Sequence, residues 1–458
     1  MPDFDLTVIG AGPGGYVAAI HAARLGARVA ILEQRDSEWG GTCLNWGCIP
    51  TKALVQSAEV FQAVRRASTF GVRVGEPEVD WQAMQARKDG VVGGLRRGVQ
   101  QLLRANGVEM VTARGRLAGP GRVDAGGREL GSRVVLLAPG STVALPPIPG
   151  IEDVLTSDTI LGLKEVPASL AVIGGGVVGM EFAGIFSLLG TRVTVIELLD
   201  QILAPLDPDV AARFQKLMEG RGVRFQLGAG VEAIERSGGG FCVRGGGGLV
   251  EAEQVLVATG RRPSTADMGL EAAGLRLERS AVQVDPHLRT SLDGVFAIGD
   301  ATAISMLAHT ASYQGEVAVT NAIEGKRISA DYTAVPACIY TDPEIAYVGL
   351  SETQARARGH EVRVGRFPFS ALGRAQVLGD TEGSVKVVTD AGGYLLGVTI
   401  MGPRATDLIA EAVLALHQGL TAAELAHAVH AHPTLPEALA EAALDVAGRA
   451  VHVPPRRR

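Results

Sequence analysis

Two cysteines, Cys43 and Cys48, lie five positions apart in the run Gly40–Lys52, GGTCLNWGCIPTK, and their type and spacing suggest redox chemistry. A disulfide closing so short a loop would stabilise the fold by only roughly 2 kcal/mol on the loop-entropy model. A chain of 458 residues can bury a large core without such help. The pair is therefore better explained by reversible oxidation than by structural cross-linking.

A zinc site or two unrelated buried thiols could also account for a close pair of cysteines. A zinc site needs about four ligands, usually as two close pairs, and the remaining cysteines, Cys242 and Cys338, have no neighbouring histidine. Unrelated buried thiols are the simplest alternative. However, Gly47 and Pro50 predict a tight turn, and a helix is expected from Thr51. Thiols at a helix start face its positive end, which favours the thiolate.

An internal duplication surrounds this motif. The run VIGAGPGG at residues 8–15 recurs as VIGGGVVG at residues 172–179. The same offset of 164 positions relates Leu25-Gly26 to Leu189-Gly190, Arg28-Val29 to Arg192-Val193 and Glu33 to Glu197. Each copy predicts strand, glycine turn, helix, strand and acid, the fingerprint that binds a dinucleotide pyrophosphate and ribose. The sequence therefore predicts two dinucleotide sites.

Composition excludes several classes of protein. The 60 glycines exceed the usual share of about 7% and indicate many tight turns. The net charge is −6, and the basic cluster Arg456–Arg458 is explained by a short solvated tail, so we expect no nucleic-acid partner. A strand begins near residue 6 and no apolar run approaches ~18 residues. We expect a soluble, cytoplasmic protein without a membrane partner, although a mature organellar protein would have the same features.

Further elements follow from the pattern of apolar residues and glycines. They are a helix over Trp81–Asn106, hairpins over Arg122–Leu130 and around Phe241–Val243, buried strands at Val255–Gly260 and Val295–Asp300, and a helix ending near Glu324. From Val335, the alternating strands Val362–Phe367, Ser384–Val388 and Leu395–Ile400 precede alanine-rich helices over Asp407–Gly448. This last part predicts an α+β domain without a dinucleotide motif.

Together these motifs resemble the pyridine nucleotide-disulfide oxidoreductases, and within them the dihydrolipoyl dehydrogenases, over essentially the whole chain. The resemblance is carried by the two fingerprints, Gly41–Lys52, Ala258–Pro263, Gly299-Asp300, Met306–His309, Ile339–Glu344 and His430–Glu437. It implies an α/β fold with two Rossmann-like dinucleotide-binding domains, for FAD and NAD, plus a C-terminal α+β dimerisation domain. The implied limits are 1–145 and 271–333 for the two parts of the FAD and central domain, 146–270 for the NAD domain and 334–458 for the interface domain.

The resemblance also implies cofactor-binding residues. FAD is assigned to Gly10, Gly12, Gly15, Glu33 and the second acid Asp300, and NAD to Gly174, Gly176, Gly179 and Glu197; Lys52, Gly115, Glu181, Val231, Gly260 and Ala308 complete the set. Lys52 is implied to reach the flavin, where its charge stabilises the reduced ring, and to pair with Glu181. The alternatives are a solvated lysine and an exposed helix acid. Glu197 precedes Leu198-Leu199 rather than arginines, which favours NAD over NADP.

His432 matches the family's catalytic base and Glu437 the carboxylate that orients it. A thiol must lose its proton before it attacks a disulfide, and histidine titrates in a suitable range. Alternatively, Thr434 to Glu437 fits a T-x-x-E capping box before a helix over Ala438–Val446. His309 and His430 are expected to be packing or surface residues.

The implied activity is oxidation of protein-bound dihydrolipoamide by NAD⁺ within a 2-oxoacid dehydrogenase or glycine cleavage complex. His432 of the partner subunit deprotonates a lipoyl thiol, the thiolate attacks Cys43, and Cys48 is left as a thiolate beside FAD. The implied partners are a second copy of the chain, with active sites shared between subunits, and a lipoylated acyltransferase or lipoyl carrier protein. No metal is implied.

Two alternative functions predict different residues. A related reductase acting on glutathione, another small thiol or mercuric ion would be expected to carry arginines for NADPH and a tyrosine in place of Val177, or a C-terminal cysteine pair. An inactive scaffold would be expected to lack a reacting group. Three positions depart from the family's usual pattern, namely Trp46, Pro139 and Ser305. Trp46 could alter access to the disulfide or its potential.

Overall fold

Strands and helices alternate along the first two thirds of the chain in a computed structural model that describes residues 2–454. The helices are α1 (Pro13–Arg24), α2 (Gly41–Asn45), α3 (Cys48–Arg65), α4 (Trp81–Ala105), α5 (Val177–Leu188), α6 (Pro208–Gly220), α7 (Ala308–Ile323), α8 (Glu352–Ala357), α9 (Gly373–Leu378), α10 (Ala405–His417), α11 (Ala422–His427) and α12 (Glu437–Asp445). The basic cluster Arg456–Arg458 lies outside the described residues.

The strands are short and fall into several sheets. They are β1 (Phe4–Ile9), β2 (Val29–Glu33), β3 (Glu109–Thr112), β4 (Gly115–Gly119), β5 (Arg122–Ala125), β6 (Arg128–Leu137), β7 (Ser141–Val143), β8 (Leu155–Thr156), β9 (Ser169–Ile173), β10 (Arg192–Ile196), β11 (Arg224–Gln226), β12 (Val231–Ser237), β13 (Gly240–Gly245), β14 (Gly248–Ala252), β15 (Gln254–Val257), β16 (Arg261–Pro263), β17 (Leu277–Glu278), β18 (Ala281–Val282), β19 (Val295–Ala297), β20 (Ala337–Ile339), β21 (Glu344–Gly349), β22 (Arg363–Pro368), β23 (Ser384–Thr389) and β24 (Leu395–Gly402).

The chain divides into two compact units. The first comprises Met1–Pro147, Ile151–Val166 and Leu256–Ala330, and the second comprises Ile148–Gly150, Pro167–Val255 and Asp331–Arg458. The second unit thus contains the second glycine fingerprint together with the C-terminal α+β part. The four domain limits inferred from the sequence remain a prediction.

The first unit is built on a seven-stranded sheet. Its strand order is β3-β2-β1-β6-β5-β4, with β19 beside β6, and β1 runs parallel to both β2 and β6. Successive side chains of β1 enter opposite cores: Val8 packs with Ile31 on one face, and Ile9 packs with Leu32 on the other. Such burial on both faces explains the continuous apolar runs of the parallel strands.

The second glycine fingerprint folds as a copy of the first. In the first copy Leu6 pairs with Val29, and in the second Leu170 pairs with Val193, each 164 positions later. Helices α1 and α5 also begin and end 164 positions apart. The predicted strand-turn-helix-strand units are therefore confirmed, down to the register of their strands.

Helix α7 packs closely on α1 in the first unit. A Cβ atom added to Gly14 would lie 2.9 Å from the carbonyl oxygen of Ala311, and one added to Gly315 would lie 2.8 Å from the carbonyl oxygen of Gly14. Contacts this short exclude any residue with a Cβ atom at these two positions unless a backbone moves. The first fingerprint helix is therefore held at backbone distance by a helix from much later in the chain.

The C-terminal part has a five-stranded antiparallel sheet of order β20-β21-β24-β23-β22. Its buried strand residues form one core with Ile409 of α10 and with Ala438 and Leu439 of α12. The predicted strands are confirmed, and the predicted alanine-rich helices are three separate helices, α10 to α12. Helix α4 and the hairpin of β5 and β6, which turns at Gly126 and Gly127 with positive φ, are also confirmed.

None of the helices within residues 2–454 combines the length and apolar character that crossing a bilayer requires.

Candidate active site

The two cysteines lie at the junction of two helices. Cys43 belongs to the five-residue helix α2, and Cys48 is the first residue of α3, which begins three residues earlier than the Thr51 predicted from the sequence. The hydroxyl of Thr51 donates to the carbonyl oxygen of Gly47 at 2.6 Å and closes the first turn of α3. The side chains of Cys43 and Cys48 are joined by a hydrogen bond. This arrangement places both sulfur atoms where they can form or break a single bond.

The environment of Cys43 disfavours its thiolate. The hydrogen bond with Cys48 raises the pKa of the Cys43 thiol, as do burial and the charge of a Cys48 thiolate. The Cys48 amide and the charge of Lys52 act in the opposite direction but do not prevail. The prediction that a helix start would favour the thiolate is therefore wrong for Cys43, because the Cys48 thiol and burial outweigh the favourable effects. The reduced pair thus holds the Cys43 proton more tightly than a free thiol would.

The first glycine turn contacts the segment that carries the cysteines. A Cβ atom on Gly41 would lie 2.5 Å from the Cα atom of Gly12, and Gly41 has a positive φ of 66°. The amide of Gly40 donates to the carbonyl oxygen of Ala11 at 3.0 Å. Two glycine backbones therefore meet directly, and the first glycine turn holds the segment that carries Cys43 and Cys48 beside it.

The glycine turn has the shape that a dinucleotide needs. Gly10 has a φ of +103°, and a Cβ atom there would lie 2.1 Å from the carbonyl oxygen of Ala138. A Cβ atom on Gly15 would lie 1.9 Å from the carbonyl oxygen of Gly10. A Cβ atom on Gly12, by contrast, would meet only the Cα atom of Gly41, at 3.9 Å, so this position leaves backbone amides accessible to a phosphate. The neighbour of Gly10 is the backbone at Ala138 and Pro139.

The two fingerprint acids make the same hydrogen bond. Glu33 accepts from the Ala11 amide at 3.1 Å through Oε2, and Glu197 accepts from the Gly175 amide at 2.5 Å through Oε2. Burial raises the pKa of Glu33 to about 7, against the lowering effect of the Gln34 and Ala11 amides. The ionised carboxyl is the form that would accept from the hydroxyl groups of a ribose. These residues fit a dinucleotide.

Asp300 is held in a chain of polar contacts that sequence reasoning missed. The Ser141 hydroxyl donates to Asp300 Oδ2 at 2.5 Å, and Arg261 Nε donates to the same hydroxyl oxygen at 2.8 Å. Arg261 also forms a 3.2 Å ion pair with Asp158. Asp300 itself lies in a 3₁₀ turn, residues 299–302, after β19. The predicted Ala258–Pro263 motif was a signal for Arg261, but nothing in the sequence indicated Ser141.

The second glycine turn repeats the first. Gly174 has a φ of +107°, and a Cβ atom on Gly179 would lie 2.0 Å from the Gly174 carbonyl oxygen. A Cβ atom on Gly176 would meet nothing within 4 Å, so this glycine is exposed to an approaching ligand. The structure places Gly115 at the start of β4, Val231 at the start of β12, Gly260 after β15 and Ala308 at the start of α7. Their contacts with cofactors remain predictions.

Lys52 and Glu181 lie on different helices. Lys52 is on α3, one turn beyond Cys48, and its positive charge lowers the pKa of Cys43 against the larger opposing effects. Glu181 is on α5, is only 4% exposed and accepts a hydrogen bond from the Tyr340 amide at 3.0 Å. The alternative of an exposed helix acid is therefore wrong for Glu181. Pairing of the two residues remains a prediction.

His432 and Glu437 form the predicted pair. His432 Nδ1 and Glu437 Oε1 are 2.8 Å apart, and the His432 side chain is 79% exposed. Burial by itself would raise the pKa of the Glu437 carboxyl. The hydrogen bonds from the Thr434 amide and the His432 ring outweigh it, so the pKa of Glu437 lies below its usual value. With Nδ1 bound to the carboxylate, Nε2 is the ring nitrogen that can take a proton from a substrate.

The capping-box alternative is only half right. The Thr434 amide donates to Glu437 Oε2 at 2.7 Å, as such a box requires. The Thr434 hydroxyl, however, donates to the carbonyl oxygen of Ala431, and the residue at the N-cap is Pro436. Helix α12 begins at Glu437 itself, so Glu437 is free of the usual reciprocal cap. His430 is a packing residue, bonded to Glu411 at 2.9 Å, as predicted.

Comparison with known proteins identifies the family. The family model described as pyridine nucleotide-disulphide oxidoreductase matches residues 4–315, and the model of its dimerisation domain matches residues 335–443. This chain belongs to the pyridine nucleotide-disulphide oxidoreductases. The oxidoreductase therefore has the α/β fold expected for it, and its C-terminal dimerisation domain supports a homodimer.

Several relatives of this oxidoreductase match it along their whole length. The dihydrolipoyl dehydrogenase of Chlamydia muridarum is 42% identical over 464 residues, which cover 99% of each chain. That of Thermus scotoductus is 44% identical over 463 residues and also covers 99% of each chain. The Cu(II) complex of the HOCl-induced flavoprotein disulfide reductase RclA from Escherichia coli has a TM-score of 0.88 and 29% identity, covering 97% of this oxidoreductase and 99% of that chain.

Proposed function

We propose that this oxidoreductase is a dihydrolipoyl dehydrogenase, which oxidises protein-bound dihydrolipoamide to lipoamide and reduces NAD⁺ to NADH with release of one proton. The observation that carries the choice of substrate is the match, over 99% of the chain, to relatives named dihydrolipoyl dehydrogenase at 42% and 44% identity. The chemistry is supported independently by the hydrogen-bonded pair of Cys43 and Cys48.

The protein uses FAD and NAD as its cofactors. FAD supplies electron transfer between a dithiol and a nicotinamide. In our proposal Gly10, Gly12, Gly15, Glu33 and Asp300 hold FAD, and Gly174, Gly176, Gly179 and Glu197 hold NAD. The carboxylate of Glu197 is followed by Leu198 and Leu199, which are 70% and 52% exposed. An acid without a cationic neighbour repels a 2′-phosphate, so the proposed nucleotide is NAD rather than NADP.

His432 and Glu437 supply the base that acts on the substrate thiol. His432 of the partner subunit, oriented by its Glu437, removes the proton of one dihydrolipoamide thiol, and the resulting thiolate attacks Cys43 of the oxidised pair. The bond between Cys43 and Cys48 breaks as the mixed disulfide forms, and Cys48 leaves as a thiolate. The second dihydrolipoamide thiol then loses its proton and attacks the lipoyl sulfur of the mixed disulfide. The bond to Cys43 breaks, and Cys43 leaves and takes up that proton. Lipoamide is released, and the pair is left reduced by two electrons.

The proposed macromolecular partners are a second copy of the chain and a lipoylated acyltransferase or lipoyl carrier protein. In the single chain the His432 side chain is 79% exposed, as a residue that reaches into the partner's site requires. We propose a cytoplasmic location, as expected from the sequence.

Cys43→Ser tests this proposal. We expect the purified flavoprotein to lose dihydrolipoamide-dependent NADH formation, because serine cannot form the mixed disulfide. Cys242→Ser is the matched control, since Cys242 lies in β13 of the second unit, outside the proposed site. Undiminished NADH formation by Cys43→Ser would contradict the proposal. Turnover of glutathione disulfide with NADPH in place of dihydrolipoamide with NAD⁺ would assign the enzyme to a related reductase instead.

A further inference from the structure

An ion cluster around a buried lysine and a buried aspartate joins the second fingerprint to the dimerisation domain. The Lys386 side chain on β23 is 4% exposed, and its Nζ atom lies 2.8 Å from Asp207, 3.1 Å from Asp209 and 3.0 Å from Glu352. Arg366 of β22 adds a second cation, 3.0 Å from Asp209 and 3.0 Å from Glu352. All five residues belong to the second unit. We call them the ion cluster.

Asp207 is the most constrained member of the ion cluster. Its side chain is 2% exposed and accepts from the Glu352 amide at 3.0 Å, from the Thr353 amide at 2.9 Å and from the Thr353 hydroxyl at 2.8 Å, in addition to Lys386. Burial opposes ionisation, but these donors hold the pKa of Asp207 well below its usual value. Four donors on one carboxylate fix its position relative to α8 and β23 of the dimerisation domain.

Asp207 also ends a loop that supports the second glycine turn. Residues 198–207, here called the nucleotide loop, connect the fingerprint acid Glu197 to α6. The Leu203 amide donates to the Gly175 carbonyl oxygen at 2.9 Å. A Cβ atom on Gly175 would lie 2.8 Å from Ile202 Cγ2, so the loop packs directly against the turn. Ile202 and Leu203 are 0% and 1% exposed.

The nucleotide loop has a strained backbone that needs an anchor. Leu203 has a φ of +48°, a conformation that costs free energy for a residue with a γ-branched side chain. Such a conformation persists only where the surroundings hold it. The loop is held near its start by the Gly228 amide, which donates to the Leu199 carbonyl oxygen at 2.9 Å, then by the Gly175 contact, and at its end by the Asp207 carboxylate. A buried ion cluster adds little net stability compared with an apolar core of the same volume, so its contribution here is geometric.

We propose that Lys386 and Asp207 are positioning residues for NAD: they hold the nucleotide loop, and through it the Gly174–Gly176 turn and Glu197, from the dimerisation domain. The inference rests on the proposed NAD site. It makes the affinity for the nucleotide depend on residues that touch neither the nucleotide nor the disulfide.

The test is to titrate the holoenzyme with NADH and to monitor reduction of the flavin in a stopped-flow spectrometer. Steady-state KM values are measured on the same proteins. For Lys386→Met and Asp207→Asn we expect the apparent Kd for NADH and the KM for NAD⁺ to rise about fivefold or more. The flavin content should stay within about twofold, because the residues proposed to hold FAD lie in the first unit. The KM for dihydrolipoamide should also stay within about twofold, because His432 and Glu437 are not members of the ion cluster. The milder Asp209→Asn, at a half-exposed member of the ion cluster, should shift the same constants less.

Two controls separate positioning from general loss of stability. Ile409→Ala, in the core of the dimerisation domain, should lower the unfolding midpoint without changing the NADH constant. Lys326→Met, at an exposed lysine, should change neither. The inference is overturned if the NADH constant is unaltered in Lys386→Met and Asp207→Asn, or if Ile409→Ala raises it equally. Because the titration contains no dihydrolipoamide, failure of the proposed substrate appears separately, as wild-type protein that NADH reduces and dihydrolipoamide does not.

Discussion

His432 Nδ1 and Glu437 Oε1 are 2.8 Å apart, in a segment where the same carboxylate also accepts from the Thr434 amide. One turn further along α12, Glu441 Oε1 makes an equivalent 2.8 Å contact with His452 Nδ1. The two pairs share their geometry and their helix, but only the first belongs to the proposed catalytic machinery. The pair of Glu441 and His452 can therefore serve as a control for substitutions in the pair of Glu437 and His432.

Glu437→Gln should lower kcat by about tenfold or more, short of the ~10²–10⁴ expected for loss of the base itself. The carboxylate orients the ring and stabilises the imidazolium that forms when Nε2 takes a proton, so its loss should slow proton transfer from the substrate thiol. The measurement is the steady-state rate of NADH formation from dihydrolipoamide and NAD⁺. Glu441→Gln, the matched control, should leave kcat unchanged. An unaltered kcat in Glu437→Gln would show that the carboxylate does not act on the base.

FAD affinity should depend on the protonation of Glu33, whose pKa is raised to about 7 by burial. A ribose hydroxyl donates best to the carboxylate, so FAD binding should release a proton. The affinity should then fall as pH decreases below about 7, by up to about tenfold per pH unit. The measurement is FAD titration of the apoprotein between pH 5.5 and 8.5.

Protonation of Glu33 should also make the free energy of unfolding depend on pH. The folded-state pKa of Glu33 exceeds its unfolded value, so its contribution destabilises the flavin-free chain increasingly as pH rises from about 4.5 to about 7. Glu33→Gln should flatten both pH dependences, whereas Glu109→Gln, at an exposed residue of β3, should retain them. A slope that persists in Glu33→Gln would assign the proton to another group.

Gly176→Ala should weaken NAD binding while leaving the fold intact. A methyl group at Gly176 meets no protein atom within 4 Å, so it would project into the space proposed for the pyrophosphate. We expect the KM for NAD⁺ to rise about tenfold or more, which corresponds to roughly 1.4 kcal/mol of lost binding. Gly220→Ala, also without neighbours within 4 Å but at the end of α6, is the control. Equal KM values in the two variants would place the pyrophosphate elsewhere.

Leu414→Asp should weaken the homodimer. Leu414 is 62% exposed on α10, and Val429, which adjoins the His430 contact with Glu411 on that helix, is fully exposed. A buried charge at this apolar surface is costly, so activity should fall on dilution if His432 acts in the partner's site. Sedimentation velocity beside activity provides the measurement. Leu249→Asp, at a 59% exposed leucine of β14, is the control. A dilution-resistant, active Leu414→Asp enzyme would place Leu414 outside the dimer interface.

Local patterns predicted the fold well wherever a single segment specifies its own structure. The offset of 164 positions correctly anticipated two units with the same strand register, since glycine turns and apolar strands are encoded within about 30 residues. The start of α3 was misplaced because Pro50 tolerates the first helical turn, so it did not mark the boundary.

Contacts between distant segments could not be predicted in this way. Lys386 and Asp207 are separated by 179 positions, and neither stands in a recognisable motif. The meeting of Gly12 with Gly41 and the hydrogen bond from Ser141 to Asp300 also depend on how separate elements pack. The pKa of Cys43 followed the same rule, because burial and a neighbouring thiol outweigh the helix start that the sequence makes visible.

The close packing of α7 on α1 bears on how long each cofactor stays bound. Gly14 and Gly315 let the two helices meet at backbone distance, whereas the equivalent of Gly14 in the second copy is Val178, whose side chain prevents so close an approach. Helix α7 therefore packs against the start of α1, next to the first glycine turn, and it cannot move away without opening the first unit. The second glycine turn has no such close packing at this position. With the proposed assignment of the two copies, the same binding unit serves two purposes. The first copy retains a prosthetic group, and the second releases its nucleotide after every turnover.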